Sequence, residues 1–313
     1  MPSKTSTAGE YFRKLKENVK NTDQYVHTWD GELYLEYHRG TYTSQGYNKR
    51  MNRKMELLYR KAEWLTAMGA VKADSLGNAE QEKLTEGWKL LLTNQFHDII
   101  PGSSIHEVYE DSRRDYEKVK AIGEAVAADY RAEALEEKEN SFTVYNASGW
   151  ELDEIVAVPC EEDGIYTDAC GKVLASQKAE GVSYVQAGPV PAMGHKTIYL
   201  KKGEAQEENS VFTVNGRNIE TPFYSISLND YGQISRLYDK TCAREVLAAG
   251  ERGNVLQMFE DKPIDNDAWD IDIFYQQKMR EVTDLKTFEV TQCGPLRLVI
   301  HMEWNYMNTV IAQ

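Results

Sequence analysis

Cysteine is scarce in this chain of 313 residues: Cys160, Cys170, Cys242 and Cys293 are its four, with no C-x-x-C pair and no close cluster among them. Such scatter indicates neither a thiolate zinc site nor a disulfide framework, and isolated reduced thiols suit the cytosol. Long apolar runs are also missing. No stretch approaches the roughly 18 apolar residues of a membrane span, and Met1-Pro2-Ser3-Lys4-Thr5-Ser6 lacks the apolar core of a signal peptide. The expectation is a soluble, cytoplasmic protein without a membrane partner. Positive charge is in deficit, 36 basic against 50 acidic residues, for a formal net charge of −14. Nucleic-acid binding rests on cationic neutralisation of phosphates, so a neutral ligand fits this balance better.

What is present divides into three zones, and the length suggests two or three domains. Residues 1–45 are short and aromatic. The pattern predicts a helix from Thr7 to Val19, followed by Trp29, Tyr34, Tyr37 and Tyr42 interleaved with Glu32, Glu36, His38 and Arg39. So small a segment cannot bury a core of its own, so it must pack on the helices that follow or on a larger body. Residues 46–140 have helical periodicity. Met51, Met55, Leu58, Ala62 and Leu65 form one stripe; Leu84, Trp88, Leu91 and Leu92 form a second; Ile105, Val108, Tyr116, Val119, Ile122, Val126 and Tyr130 form a third. Three amphipathic helices with short joints make an antiparallel bundle the economical arrangement, with the stripes as its core.

From residue 141 to 313 the pattern becomes short β-branched and aromatic runs. These are Phe142 to Tyr145, Ile155 to Val158, Tyr184 to Gln186, Lys196 to Leu200, Val211 to Val214, Tyr224 to Leu228, Gln233 to Leu237, Phe288 to Thr291 and Leu296 to Trp304. Turn formers such as Asn215-Gly216 and Tyr231-Gly232 punctuate them, which indicates an antiparallel β-sandwich. The end at Thr309-Val310-Ile311-Ala312-Gln313, straight after a strand-like run, reads as a cut through that sandwich.

The densest chemical signal is Gln95-Phe96-His97-Asp98-Ile99-Ile100-Pro101-Gly102-Ser103-Ser104. It sets an imidazole beside a carboxylate where the second helix stops at a Pro-Gly signal, and Ser104-x-x-Glu107 has the pattern of a capping box opening the next helix. A His-Asp pair here could simply satisfy the last carbonyls and the helix dipole, or it could be aimed into a cleft.

A resemblance adds to this. Gly31-Glu32-Leu33-Tyr34-Leu35-Glu36-Tyr37-His38-Arg39-Gly40-Thr41-Tyr42-Thr43-Ser44-Gln45, His97 to Ser104, Tyr238-Asp239-Lys240, Gly253-Asn254 and Asp267-Ala268-Trp269-Asp270-Ile271 together resemble the α-mannosidases of glycoside hydrolase family 38, bacterial branch. That resemblance implies an α+β multidomain fold. Residues 1–45 would be the last piece of a (β/α)-type catalytic barrel, 46–140 a three-helix bundle, and 141–313 the start of the β-sandwich region. It further implies a retaining, metal-dependent hydrolase of terminal α-mannosides, with one divalent ion, usually zinc, at each active site. His97 would be a metal ligand and Asp98 a catalytic and sugar-contacting carboxylate. Glu32 is the first choice for the acid and Glu36 the second, although either could be a solvating charge at a strand edge. Glu36, His38, Arg39 and Tyr42 would face the sugar, or serve core packing and internal pairing instead.

Retaining hydrolysis needs a carboxylate nucleophile and a second carboxyl group about 5 to 5.5 Å away, and zinc needs three or four protein ligands. The family's nucleophile and remaining ligands belong to a barrel with no counterpart here. The chain alone is therefore expected to be inactive, and its partners to be an α-mannoside or oligosaccharide, with a homo-oligomer possible in the full-length enzyme. A non-catalytic carbohydrate-binding or assembly module is the alternative. A helical His-Asp phosphohydrolase would need more histidines than the bundle's one other, His106. His106 reads as structural, because an imidazolium is disfavoured in a first helical turn.

Overall fold

A computed structural model describes residues 4–31, 38–73, 78–134, 139–159, 162–179, 181–203 and 209–313. Glu32, Tyr34, Glu36 and Tyr37 lie outside them, and so does Cys160. The chain opens with α1 (Ala8–Lys20), capped by Thr7, whose Oγ1 accepts from the Glu10 N–H at 3.3 Å. Its apolar face of Tyr11, Phe12, Leu15 and Val19 is exposed, and no residue of α1 is buried. A segment too small for its own core thus finds no cover among the described residues.

Three helices follow: α2 (Gly46–Ala73), α3 (Asn78–Asn94) and α4 (His106–Ala134). Their shared core is Met55, Tyr59, Ala62 and Leu65 from α2, Leu84 and Leu91 from α3, and Tyr116, Val119, Val126 and Ala127 from α4. This is the bundle the periodicity implies, with three differences, one being Ile105 of the expected third stripe, which lies before α4 and is 68% exposed. Leu92 is turned outward, 57% exposed, and Gly87 takes a place on the buried face where the Tyr59 ring crosses α3. The Ser104-x-x-Glu107 capping box does not form. Ser104 Oγ donates instead to the Asp98 carbonyl at 2.6 Å, and α4 begins only at His106.

The remaining residues form antiparallel sheets in two groups. In the first, β1 (Ser141–Asn146), β6 (Gly194–Lys202) and β3 (Gly164–Thr167) make one three-stranded sheet, and β2 (Ile155–Val158), β5 (Val182–Gln186) and β4 (Ser176–Ala179) make another. Val158, Tyr166, Val185, Ile198 and Leu200 are buried in a common core, which makes the pair a sandwich. The second group holds a five-stranded sheet in the order β11 (Arg244–Glu245), β10 (Ile234–Asp239), β9 (Tyr224–Leu228), β8 (Asn218–Glu220), β7 (Thr213–Asn215). With it come a ribbon of β12 (Gln257–Phe259) and β13 (Met279–Glu281), and the sheet β14 (Leu285–Cys293), β15 (Leu298–Tyr306), β16 (Thr309–Ala312). Val282, Met302 and Trp304 are buried at its centre, with Leu228 and Leu256 packed on them. The single sandwich expected after residue 141 thus resolves into two β cores.

Two of the short turns between strands have a local cause. Asn215-Gly216, with Gly216 at φ 59°, closes the β7–β8 hairpin, and Gly232 at φ 77° closes the β9–β10 turn. A Cβ at residue 232 would come within 2.7 Å of the Trp304 ring, so that turn is also where the five-stranded sheet meets β15.

Candidate functional site

Three segments far apart in sequence meet at the junction of the bundle and the second β group. The first is 38–49, a short 3-10 turn (Gly40–Tyr42) that runs into α2. The second is the turn after α3, residues 95–104, and the third is the loop 266–272 between β12 and β13. These are three of the motif segments that the sequence singles out.

Hydrogen bonds to carbonyls of the loop fix the contact of the first and third. The Gly40 N–H donates to the Trp269 carbonyl at 2.8 Å, and Ser44 Oγ donates to the Ala268 carbonyl at 3.0 Å. Gly40 is buried, and a Cβ there would meet the Trp269 and Asp270 carbonyls at 3.2 and 3.1 Å, so glycine permits the approach. His38 stands edge-on to the Trp269 indole with ring centroids 5.1 Å apart. The loop shapes itself: Asn266, at φ 54°, accepts from the N–H groups of Trp269 and Asp270 at 2.8 and 2.9 Å.

The first and second segments are joined by Lys49 and Gly102. Lys49 Nζ donates to the carbonyls of Ser44 at 2.5 Å and Ile100 at 2.8 Å, and its pKa is lowered by burial. Gly102, at φ 92°, lies so close to Ser44 that a Cβ would be 2.6 Å from the Ser44 oxygen. The turn is further tied to α4: the Ser104 N–H donates to Tyr109 Oη at 2.8 Å, and that hydroxyl donates to the Ile99 carbonyl at 3.4 Å.

On this turn His97 and Asp98 project outward. The His97 side chain is 75% exposed and that of Asp98 45%, with Nε2 and Oδ2 3.4 Å apart. Phe96 stacks on His97 at 4.3 Å between centroids. The pair therefore does not spend itself on the helix end; the Asp98 carbonyl, not its carboxylate, takes the local hydrogen bonds. Arg39 is half-buried and Tyr42 exposed on the first segment, whereas Glu32 and Glu36 fall outside the described residues. His106 lies 3.4 Å from Glu110 along its own helix, with its side chain 83% exposed.

Metal chemistry has an incomplete donor set here. No group of three or more His, Cys, Asp or Glu side chains among the described residues could hold a metal ion, so His97 with Asp98 does not by itself fit zinc. The clefts of about 510 Å³ beside Gln81, Thr85 and Lys89 and of about 600 Å³ beside Met258, Phe259 and Arg280 contain no motif residue. No described helix is long and apolar enough to cross a membrane. Lys49 and Tyr109 escaped the sequence reading, since a lone lysine or tyrosine on a helical segment has no distinguishing pattern, and Ser44 entered it only as part of the 31–45 string.

Comparison with known proteins yields a consistent set. Residues 36–133 match the family described as Alpha mannosidase middle domain, and residues 219–313 match Glycosyl hydrolases family 38 C-terminal domain. Alpha-mannosidase G of Dictyostelium discoideum is 27% identical over 96% of this chain and 30% of that protein. Alpha-mannosidase 2C1 of Homo sapiens is 28% identical over 86% of this chain and 25% of that protein. A solved α-mannosidase from Enterococcus faecalis V583 shares the fold with a TM-score of 0.66 at 17% identity, over 94% of this chain and 39% of that one. The chain thus spans about 25–30% of the length of these curated relatives.

Proposed function

This chain carries the middle and C-terminal domains of glycosyl hydrolase family 38, and from that premise we propose that it is part of a retaining, metal-dependent α-mannosidase whose chemistry it cannot complete alone. The observation that carries the proposal is the convergence of the 38–44, 95–104 and 266–272 segments, held by the Gly40, Ser44 and Lys49 hydrogen bonds. Segments on which the resemblance rests, up to about 230 positions apart, are joined through the first of them, since 38–49 touches both the 95–104 turn and the 266–272 loop.

In this reading 1–45 is the end of a catalytic barrel, 46–140 the bundle and 141–313 the β region. Asp98 accepts hydrogen bonds from sugar hydroxyls, and Tyr42, His38 and Arg39 border the same surface from the first segment. Apolar sugar faces pack on rings, a role open to Tyr42. Glu32, or else Glu36, donates the proton to the leaving oxygen. Zinc, held by His97 together with ligands outside this chain, would supply Lewis-acid polarisation and orientation of the sugar. The nucleophile that traps the oxocarbenium-like centre is outside as well. Oligosaccharide partners, a cytoplasmic location and a homo-oligomeric whole enzyme are part of the same proposal.

Titration of the chain with zinc and then methyl α-mannoside, followed by NMR at the His97 imidazole and the Trp269 indole, tests it. With one imidazole ligand in the chain only weak zinc-dependent shifts at His97 are expected, and the mannoside-dependent shifts at His97 and Trp269 should shrink in Asp98→Asn. Sugar binding that leaves His97 and Trp269 unmoved would count against it and favour a non-catalytic carbohydrate-binding module.

A further inference from the structure

Helix α2 turns a polar face toward the start of the 95–102 turn. Asn48, Lys49, Asn52 and Glu56 lie along it, and Asn48 and Asn52 are buried. Asn52 Nδ2 donates to Glu56 Oε1 at 3.0 Å, and Gln95 Nε2 donates to both Asn52 Oδ1 and Glu56 Oε1, each at 3.0 Å. From the opposite side, buried Asn94 donates to Asp115 Oδ2 of α4 at 3.1 Å, and Asn48 donates to Ser112 Oγ of α4 at 2.9 Å. Elsewhere the same three helices meet through Met55, Tyr59, Leu65, Leu91 and Tyr116.

Apolar side chains would hold the helices together at this level too, and without the desolvation that the buried Asn48, Asn52 and Asn94 amides entail, while Glu56 stays half-buried. What directional hydrogen bonds add is a fixed angle and register. Here they act on Gln95, the first residue past α3 and two residues before His97. We propose that Asn52, Glu56 and Gln95 are positioning residues that set where the turn bearing His97 and Asp98 leaves the bundle. The importance of that placement rests on the α-mannoside reading of the turn; the placement itself does not.

The test is hydrogen exchange at the amides of Ile99, Ile100 and Gly102. Their bonds to the Phe96 carbonyl at 2.8 and 3.1 Å and to the Ile99 carbonyl at 3.1 Å close the turn. Buried helical amides at Leu65 and Val119 serve as the reference. Gln95→Met removes the donor and Glu56→Met the acceptor, while Glu56→Gln keeps an acceptor oxygen. Both Glu56 variants lose the ion pair with Arg53 at 3.0 Å, so charge is controlled. Expected are roughly tenfold faster exchange at the turn in the two methionine variants, reference amides within about twofold, and near wild-type behaviour for Glu56→Gln. Unchanged exchange at the turn in Gln95→Met overturns the proposal. So does equal acceleration at turn and reference amides, or a Glu56→Gln as damaging as Glu56→Met. If Glu56→Met does not fold, Gln95→Met decides alone. No sugar or metal enters the readout, so its failure and failure of the α-mannosidase reading are separable.

Discussion

Replacing Gly102 by alanine attacks the joint between the His97 turn and the first motif segment. A Cβ at residue 102 would lie 2.6 Å from the Ser44 oxygen and 2.7 Å from its carbonyl carbon and Cβ, against the 3.5 Å or more of ordinary carbon contacts. Ser44 cannot simply step aside. Its N–H donates to the Gly40 carbonyl at 2.9 Å, its one hydroxyl proton is shared between the Gly40 and Ala268 carbonyls at 2.9 and 3.0 Å, and its own carbonyl accepts from Lys49 at 2.5 Å. Relief must then come from the turn, whose residue 102 sits at φ 92°, where a side chain costs about 1–2 kcal/mol. Overpacking adds about 1–3 kcal/mol, for a total of about 2–5 kcal/mol. Urea unfolding followed at 222 nm, which reports on the helices, should show a lowered midpoint for Gly102→Ala. Gly149→Ala, with nothing within 4 Å of the added Cβ, should stay within about 0.5 kcal/mol of wild type. Identical midpoints for the two variants would refute the reasoning.

Within the bundle, Tyr59→Phe should cost about 1 kcal/mol, since its hydroxyl donates to the Val119 carbonyl at 2.8 Å, whereas Tyr116→Phe should be neutral or stabilising because that buried hydroxyl has no partner among the described residues; urea midpoints compare them. Burial first, then nearby charge, pushes the pKa of both tyrosines up to about 12. The folded state keeps protons that the unfolded chain releases near pH 10, so stability fully present below that pH should fall as pH rises towards 12. A flat midpoint across this window would contradict the assignment. Gly87→Ala places a Cβ 1.7 Å from Tyr59 Oη and should destabilise the bundle by at least about 2 kcal/mol in the same urea assay.

Much of the architecture was readable because its signals are local. Ile155 to Val158 is a strand at both expected ends, and Thr7 caps the predicted first helix. Two strands that escaped, Ser176–Ala179 and Gln257–Phe259, have little β-branched content and owe their form to pairing with β5 and β13, whereas Gly164–Thr167 escaped despite Ile165, Tyr166 and Thr167. Helical period alone assigned Leu92 to the core, where the approach of Tyr59 turned the buried face toward Gly87 instead. Local pattern also misled at Ser104, whose hydroxyl donates to the Asp98 carbonyl at 2.6 Å instead of accepting from a first-turn N–H of α4, which begins only at His106. For the site, the motif segments were legible as strings and through family resemblance. Their meeting was not, since the Ser44 to Ala268 hydrogen bond spans 224 residues and has no sequence period to announce it.

The central claim is that these residues contribute to an α-mannosidase site that is complete only with residues from outside the chain. Release of nitrophenol from 4-nitrophenyl α-mannoside by the purified, folded chain, with and without zinc and beside His97→Ala, tests it most directly. The account predicts no turnover under any of these conditions. Zinc-dependent turnover abolished by His97→Ala would contradict it, by showing that a complete site lies within these 313 residues.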